Sequence, residues 1–307
     1  MEFYCHDLVE QRPAHGTFLF NQPAHLFLQS EKGWRVYGLQ ERKTKKVLAR
    51  IFFHVKGKKM FSPLYAPFGS LEVYEALGQK EIEELFIKIE EDSKRLGIVY
   101  CQIKNYPEDY NSAATKTLYK VASNLSYNCV EEVSSIIPID QKLFEKRIAA
   151  SQRQKLRKCE KRFTAGQFKL TEFKKAYNFI NACRKEKNQS LSMSLSQLQK
   201  VVERFPDNFT LFQVADEQQT AAAAIVIKVS DKILYTFYYA HDRRFNRISP
   251  TVFLISEIYR YAQEHHFSHI DLGTSMFNGG INRPLIQFKK SIGGQPSSKY
   301  IFDKTFS

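Results

Sequence analysis

The strongest constraint on this fold is an order of secondary structure that occurs twice along the 307 residues: three strands, a helix and a strand. Alternating and helical hydrophobic periods predict the elements of both sets. The first set has strands at 34–39, 47–55 and 59–64, a helix at 79–96 and a strand at 98–103; the second has strands at 209–215, 221–229 and 232–240, a helix at 251–265 and a strand at 268–272. Corresponding elements lie 170 to 176 positions apart, although their residues do not match. We therefore predict two copies of a β-β-β-α-β unit, with a single irregular α+β domain as the alternative.

The first copy is followed by a predicted helix at 113–123 and a long strand at 129–139. At roughly 100–200 residues per domain, the length also favours two domains. We predict an N-terminal domain at 1–140, a connecting helix at 141–166 and a C-terminal domain at 167–307. The predicted class is α+β, with a mixed, mostly antiparallel sheet flanked by helices in each domain.

Composition excludes several classes of protein. The chain is 43% hydrophobic and carries 46 Lys+Arg against 32 Asp+Glu, a formal charge of +14, so it is globular and strongly basic. No apolar run approaches the ~18 residues of a membrane span, and the N-terminus lacks the pattern of a signal peptide, which predicts a cytoplasmic protein. Five scattered cysteines without a CxxC pair predict reduced thiols and no metal site.

Half of the net charge lies in the connecting segment 141–166, which has nine basic and two acidic residues. At 100° per residue, one face of this predicted helix is apolar and can dock on a core. That face consists of Phe144, Ile148, Leu156, Cys159 and Phe163, and the side chains that project outward are Arg153, Lys155, Arg157, Lys158, Lys161 and Arg162. The segment is either an ordinary solvated surface or an electrostatic footprint for a phosphate-rich partner such as RNA, a nucleotide or a lipid head group.

A second basic feature joins a predicted strand to the helix at 251–265. Ser249 has the chemistry of an N-cap and Pro250 suits the first helical position, which leaves the N–H groups of Thr251 and Val252 pointing outward. The preceding loop contributes Arg243, Arg244, Asn246 and Arg247. A helix N-terminus beside arginines predicts an anion site, and ordinary capping with solvated arginines is the alternative.

These residues resemble known proteins. The order of strand, Arg-rich loop, helix and the strand 269–273 resembles the core of the GNAT acyltransferase superfamily. Two such units, joined by the basic stretch from Leu156 to Arg162 and closed by Phe288-Lys-Lys-Ser-Ile-Gly-Gly294, resemble the FemAB-like peptidyltransferases. The resemblance implies two tandem GNAT domains and transfer of an activated acyl or aminoacyl group to an amine. The first domain would hold the acceptor and the second the donor.

The resemblance also implies the class of donor. GNAT members bind the pyrophosphate of acyl-CoA through a Gln/Arg-x-x-Gly-x-Gly/Ala loop, whereas residues 243–250 contain no glycine. Without glycine the backbone is expected to approach a pyrophosphate less closely. The Fem branch takes aminoacyl-tRNA, lacks that loop and suits a chain of charge +14. We therefore expect no tightly bound cofactor, and aminoacyl-tRNA or acyl-CoA as a donor substrate.

The first copy carries the expected acceptor residues. Lys32 and Trp34 resemble a Lys-x-Trp that in the Fem proteins lies near the phosphates of the cell-wall precursor. Tyr65 and Phe68 belong to the Pro- and aromatic-rich loop 61–70, which could form one wall of an acceptor groove. A core tryptophan and a rigid surface loop are the corresponding structural alternatives.

Amide-bond formation needs a neutral amine, a donor for the tetrahedral oxyanion and an acid for the leaving group. We expect Asp271 to hold the amine or take its proton, and Tyr238 or Tyr239 to donate a hydrogen bond. Lys289, with Lys290 in the closing Phe-Lys-Lys, matches a region that supplies a lysine near the transfer site in the Fem proteins. A turn-forming aspartate, packed tyrosines and a solvated lysine pair are the alternatives.

We thus predict an N-acyltransferase of the GNAT/FemAB-like type, located in the cytoplasm or at the inner face of the membrane. Its expected partner is an anionic, phosphate-bearing ligand: tRNA, a nucleotide-linked or lipid-linked precursor, or CoA. Two other functions stay open, an acyl-CoA-dependent N-acetyltransferase and a non-catalytic GNAT-fold module that binds RNA or anionic lipid head groups.

Overall fold

A computed structural model of the chain describes residues 1–8, 18–217, 219–277 and 279–306. The chain divides into two compact units: unit 1 is Met1–Val133 with Ser297–Ser307, and unit 2 is Ser134–Pro296. This division corrects the predicted boundaries in two places. The last strand of the chain returns to unit 1, and the basic segment 141–166 lies inside unit 2 instead of linking two domains.

Unit 1 has the order of elements expected from its hydrophobic periods. Its elements are β1 (Glu2–Asp7), α1 (Pro23–Gln29), β2 (Trp34–Gln40), β3 (Val47–Lys56), β4 (Lys59–Ser62), β5 (Glu72–Val73), α2 (Gln79–Arg95), β6 (Tyr100–Lys104), α3 (Ser112–Asn124) and the first part of β7 (Asn128–Pro138). The strands β1, β2, β3, β4 and β6 are neighbours in that order, and β5 pairs with β3. The apolar stripes of α2 and α3 pack on one face of this sheet, where Ile82, Leu85 and Phe86 are fully buried.

Unit 2 repeats this order and adds helices. Its elements are α4 (Ala150–Glu160), β8 (Thr164–Phe168), α5 (Phe173–Lys185), α6 (Leu195–Arg204), β9 (Phe209–Ala215), β10 (Thr220–Ser230), β11 (Ile233–His241), α7 (Pro250–Glu264), β12 (His269–Thr274), β13 (Met276–Phe277), β14 (Gly280–Ile281) and α8 (Arg283–Ser291). The sheet order is β12, β11, β10, β9, β8, and β12 also pairs with the end of β7. The chain closes with β15 (Gln295–Thr305), whose Ile301–Thr305 half pairs antiparallel with β6 in unit 1.

The register confirms the repeat. In each unit one strand pairs in parallel with the strand that follows a crossover helix, and the pairs on either side of this parallel pair are antiparallel. In unit 1, β4 pairs with β6, Lys59 opposite Tyr100. In unit 2, β11 pairs with β12, Ile233 opposite His269. Helices α2 and α7 make the two crossovers, as a parallel strand pair requires.

The prediction that the basic segment 141–166 is one helix is wrong. The segment consists of a 3₁₀ turn, α4 and the start of β8. Helix α4 begins at Ala150 because Ala149 has extended backbone and donates its N–H to Ser291 O, 2.9 Å away. The five predicted core residues of the segment are all buried and pack with α7 and the sheet of unit 2. The basic side chains lie on the outside, Arg153 and Lys155 half-buried and the other four exposed.

Candidate active site

The two parallel strands of unit 2 separate at one point. Their last paired residues are Tyr235 and Asp271. Beyond them β11 continues to His241, whereas β12 turns at Gly273, which has φ +75°, a conformation that favours glycine. The turn directs the carbonyl groups of Gly273 and Thr274 towards α8.

Lys289 fills this turn from α8. Its side chain is 1% exposed, and Nζ donates to Gly273 O at 2.7 Å and Thr274 O at 2.9 Å. Burial lowers the pKa of Lys289 to about 8; the charge of Asp271 opposes this shift and that of Arg184 adds to it. Lysine side chains are almost never fully buried unless they are paired with a charge or have a function. The point where the two strands separate therefore holds an unusual lysine.

Asp271 is buried beside this lysine. Its Oδ1 accepts the Gly273 N–H at 2.6 Å and the Ser134 hydroxyl at 3.3 Å. The Thr236 hydroxyl donates to Asp271 O at 3.0 Å, which joins β11 to β12 just beyond the last pair. Asp271 thus stabilises the turn that exposes the two carbonyls to Lys289, and its carboxylate is close enough to affect the lysine's pKa.

Tyr239 and Arg184 share this electrostatic environment. Burial raises the pKa of Tyr239; the guanidinium of Arg184 opposes the shift and the charge of Asp271 adds to it. Arg184, in α5, donates from Nη2 to Tyr239 O at 3.2 Å and from Nη1 to Gln189 Oε1 at 2.7 Å. Its Nε is buried with no hydrogen-bond partner among the described residues. Sequence reasoning missed Arg184, because nothing in the helical pattern of α5 distinguishes it from the exposed Lys185.

Tyr238 does not join this group, which corrects its predicted role. Successive side chains of a strand point to opposite faces, and that of Tyr238 lies against the connection between α5 and α6. Its hydroxyl accepts the Met193 N–H at 3.0 Å and bonds to Ser192 Oγ at 2.6 Å. This buried hydroxyl holds the loop and is not available to a reacting group.

The start of α7 is organised by His241, a residue that the sequence analysis did not select. Its Nε2–H donates to Asn246 Oδ1 and its Nδ1 accepts the Thr251 hydroxyl, both at 2.7 Å. Burial lowers its pKa, and Lys187 and Lys155 lower it further, whereas Asn246 and Asp242 oppose the shift. These contacts join a strand, a turn and a helix, so no single sequence period could have revealed them.

Two details of the helix start differ from the prediction. Ser249 occupies the N-cap position but makes no side-chain capping bond, and its backbone lies in the left-handed region at φ +52°. The N–H of Val252 does not point outward, because it donates to Ser249 O at 3.0 Å. The chain thus adopts, without a glycine, a backbone conformation that usually requires one.

The three arginines of the loop have different partners. Arg244 forms a forked contact with Asp242, with Nε–Oδ2 at 2.9 Å and Nη2–Oδ2 at 2.6 Å. The Nε of Arg243 lies 3.6 Å from a carboxylate oxygen of Glu186. Arg247 is exposed and forms no ion pair within the described ranges. Arg247 is therefore the arginine of this loop best placed to meet an external anion.

The fold brings the basic segment and the arginine loop together. Arg162 lies over the ring of Phe245, with its Cζ 4.9 Å from the centroid, and the charge of Lys155 reaches His241. Cys159 Sγ bonds to Ile248 O at 3.2 Å. Two stretches that the sequence presented as separate basic features form one positive surface around the start of α7.

In unit 1, the four predicted acceptor residues divide into two groups. Trp34 is 2% exposed, with its indole N–H donating to Ser30 O at 2.9 Å, and Phe68 is 2% exposed in an aromatic cluster with Phe18 and Tyr106. Both are core residues, so direct contact with an acceptor is wrong for them. Lys32 and Tyr65 are exposed.

The strand pair of unit 1 is closed differently from that of unit 2. Strand β4 ends at Ser62, its last paired residue, and the loop that follows takes its place beside β6. The N–H of Gly69 donates to Lys104 O at 3.0 Å, and Ser70 Oγ donates to Asn105 Oδ1 at 2.6 Å. The buried Lys299 of β15 also bonds to this loop, because its Nζ donates to Pro67 O at 2.9 Å; its ammonium group lies 3.6 Å from Glu132 Oε2.

Two findings concern sites of other kinds. No three His, Cys, Asp or Glu side chains among the described residues are grouped to hold a metal ion. Within the same ranges, no helix has a stretch long and apolar enough to cross a bilayer.

Comparison with known proteins assigns the fold. Residues 150–283 match the acetyltransferase (GNAT) domain family. None of the curated proteins matches the sequence. Among solved structures, the chain is similar to FemX, with 14% identity, a TM-score of 0.69 and coverage of 95% of this chain and 94% of that one.

Two further structures show the same architecture. One is the C-terminal domain of a putative lysylphosphatidylglycerol synthetase from Agrobacterium fabrum, with 11% identity, a TM-score of 0.56 and coverage of 88% and 84%. The other is a tandem GNAT protein from the clavulanic acid biosynthesis pathway, with 8% identity, a TM-score of 0.52 and coverage of 99% and 98%. The chain therefore has the FemAB-like tandem GNAT fold, and its residues 150–283 are similar to the acetyltransferase (GNAT) domain family.

Proposed function

We propose that this protein is an N-acyltransferase that moves an activated aminoacyl group to an amine, and that the reaction takes place in unit 2 where β11 and β12 separate. The observation that carries the proposal is Lys289, a fully buried ammonium group held by two carbonyls beside Asp271. A surface lysine would be an ordinary solvated charge. Burying this one costs free energy, which is typical of a group retained for chemistry.

The proposed reaction has four atom movements. The lone pair of a neutral amine attacks the carbonyl carbon of the donor, the carbonyl oxygen becomes an oxyanion, the bond to the leaving oxygen or sulfur breaks, and the proton lost by the amine passes to that leaving atom. Lys289 in its charged form stabilises the oxyanion. Asp271 positions the turn and the lysine, and the Tyr239 hydroxyl serves as a second donor.

The donor is proposed to bind at the start of α7. The positive surface of Lys155, Arg162 and Arg247 would contact phosphates, and His241 would hold Asn246 and Thr251 in place. The breadth of this surface favours aminoacyl-tRNA, since nucleic-acid affinity grows with the number of phosphates neutralised. We place the reaction in the cytoplasm or at the inner face of the membrane, with Lys32 and Tyr65 as acceptor contacts.

One observation favours acyl-CoA as a second candidate donor. The left-handed backbone at Ser249 supplies the conformation that a glycine provides in pyrophosphate loops, so the lack of glycine at 243–250 does not by itself exclude CoA. The same residues would then contact a pyrophosphate.

A thermal-shift panel distinguishes the donors, because a ligand that binds the folded state raises the unfolding midpoint. The panel contains acetyl-CoA, CoA, a UDP-linked cell-wall precursor and bulk aminoacyl-tRNA. Stabilisation by tRNA or the precursor, but not by CoA, would support aminoacyl transfer, whereas stabilisation by CoA would assign an acetyltransferase. No response to any of the four would favour the non-catalytic alternative.

The donor surface has its own test. In the Arg244→Ala/Arg247→Ala double variant we expect donor affinity to fall by about tenfold or more at low salt. Lys290→Ala, which removes an exposed charge from α8, serves as the control. Unchanged donor affinity in the double variant would remove this assignment.

A further inference from the structure

Unit 1 has a small pocket on the face of its sheet opposite α2 and α3. The strand register explains why it forms there. Tyr4 in β1, Gly38 in β2 and Arg50 in β3 lie opposite one another in a single row across three strands. The middle position has no side chain, so the Tyr4 ring can lie across it, and both Tyr4 and Arg50 line the pocket.

Gly38 is required for this arrangement. A Cβ at this position would lie 2.5 Å from both Cζ and the hydroxyl oxygen of Tyr4, and 2.5 Å from Ala49 O. The Tyr4 ring therefore lies over Gly38 and forms the floor of the pocket. Among the described residues, the structure records no hydrogen-bond partner for the Tyr4 hydroxyl. Burial raises the pKa of Tyr4 to about 12, so the hydroxyl remains a neutral O–H donor.

The pocket has a volume of about 350 Å³, within the range of sites for small molecules. Besides the Tyr4 and Arg50 side chains, its lining consists of His6, Leu8, Pro23, Val36, Gln40, Lys45, Val47 and Phe52. The row next to Gly38 supplies one wall, since Val36 pairs with Phe52 on the same face. The lining thus includes apolar side chains, Val36 and Phe52 among them, and polar ones, Tyr4, Lys45 and Arg50 among them.

The charges of the lining have one sign. Two cations, Lys45 and Arg50, line the pocket, and none of the described lining residues is acidic. Both cations form ion pairs with carboxylates outside the lining: Lys45 pairs with Glu2, and Arg50 Nε lies 3.5 Å from Oε2 of the buried Glu72. Arg50 is 9% exposed, so its charge is held in a region of reduced solvent screening.

We propose that this pocket in unit 1 binds a small organic oxyanion, a carboxylate or a phosphate ester carried by a compact flat apolar group. The Tyr4 hydroxyl, Arg50 and Lys45 would contact the anionic part, and Val36, Phe52 and Pro23 would contact the apolar part. The site is independent of the transfer chemistry proposed for unit 2, because its described lining residues all belong to unit 1.

Titration calorimetry on the full chain with three aromatic probes tests the proposal. Benzoate represents the carboxylate source, phenyl phosphate the phosphate source, and benzyl alcohol the same ring without charge. We expect one of the two anions to bind saturably and benzyl alcohol to bind at least about tenfold more weakly. The anion that binds more tightly shows whether the natural ligand carries a carboxylate or a phosphate ester.

Three variants locate the binding. Tyr4→Phe removes a single oxygen and Lys45→Gln removes one charge, and each is expected to weaken the anion by about threefold to tenfold. Lys43→Gln, an exposed lysine of the same turn that does not line the pocket, is the matched control and should bind as the parent does. Absence of saturable binding by both anions, equal binding of benzyl alcohol, or parental affinity in both pocket variants would each overturn the proposal.

Discussion

The two units build the same parallel strand pair and close it in different ways. In unit 1, β4 stops at its last pair and a loop takes its place, so that Gly69 N–H bonds to Lys104 O. In unit 2, β11 continues past the last pair, and the carbonyls of the turn in β12 are bonded by the ammonium group of Lys289. A backbone amide has no charge to offer a reaction, whereas a buried ammonium group does. Unit 1 also has a buried lysine, Lys299, but its ammonium group lies 3.6 Å from Glu132 Oε2 as well as bonding to Pro67 O of the loop. We therefore propose structural closure for unit 1 and chemistry for unit 2.

The largest expected effect comes from removing the buried ammonium group that bonds to the turn of unit 2. In Lys289→Met we expect the transfer rate to fall by about 1,000-fold, because the oxyanion loses its charged donor. The donor found in the thermal-shift panel would be used, and circular dichroism would verify folding. Lys290→Met, at the next and exposed position, should transfer at the parental rate. A Lys289→Met protein with more than a tenth of the parental rate would contradict the assigned role.

The second prediction concerns the loop that closes unit 1. Phe68 is buried in an aromatic cluster with Phe18, Phe20 and Tyr106. Phe68→Ala should lower the free energy of unfolding in urea by about 3 kcal/mol, through lost burial and a cavity. Tyr65→Ala, in the same loop but 69% exposed, should change it by less than about 0.5 kcal/mol. Equal effects of the two variants would mean that the loop is not held by this cluster.

The third prediction is a pH dependence. In the proposed reaction Lys289 acts in its charged form, and its pKa is about 8 in the folded protein against 10.5 ordinarily. The transfer rate should therefore fall as pH rises through about 8, by nearly tenfold per pH unit above it. The stability cost of burying the charge is fully present below pH about 8 and disappears as pH rises towards 10.5, since the folded state binds fewer protons than the unfolded state over that interval. A rate that instead rises through pH 8 would show that the neutral amine is the active form.

The smallest expected effect concerns His241, which positions groups at the start of α7. His241→Leu removes two hydrogen bonds of 2.7 Å, to Asn246 and Thr251. Donor KM should rise by about threefold to tenfold with little change in kcat, because the donor-binding residues are less well ordered. His265→Leu, an exposed histidine at the end of α7, is the control. A fall in kcat without a change in KM would place His241 in the reaction itself.

Local patterns were sufficient to predict most elements of the fold. The apolar stripe of α2 and the continuous apolar run 221–227 of β10 follow from residues that are near in sequence, and the bounds of the predicted strands and helices agree with the structure to within a few residues. The return of β15 to unit 1 was not predicted, because pairing with β6 joins residues nearly 200 positions apart. Neither this strand nor the identity of its partner was predicted from the sequence.

The residues of the site also fall into two groups, those that the sequence predicted and those that only the structure revealed. Lys289 and Asp271 were selected from their motifs, but whether the lysine is solvated or buried depends on the turn at Gly273, which α8 meets only in the folded chain. Trp34 and Phe68 were selected on chemistry that suits a binding site, and the structure uses that chemistry for packing. Arg184 and His241 carried no sequence signal, because their contacts cross between elements.

By itself, the sequence determined the doubled order of elements, the α+β class and the basic character of the chain, since each depends on local period or on composition. The tertiary structure decided which basic stretches share a surface, which strand completes which unit and which lysine side chain is buried. Those outcomes depend on contacts between distant residues, and burial is a property of such contacts rather than of the residue.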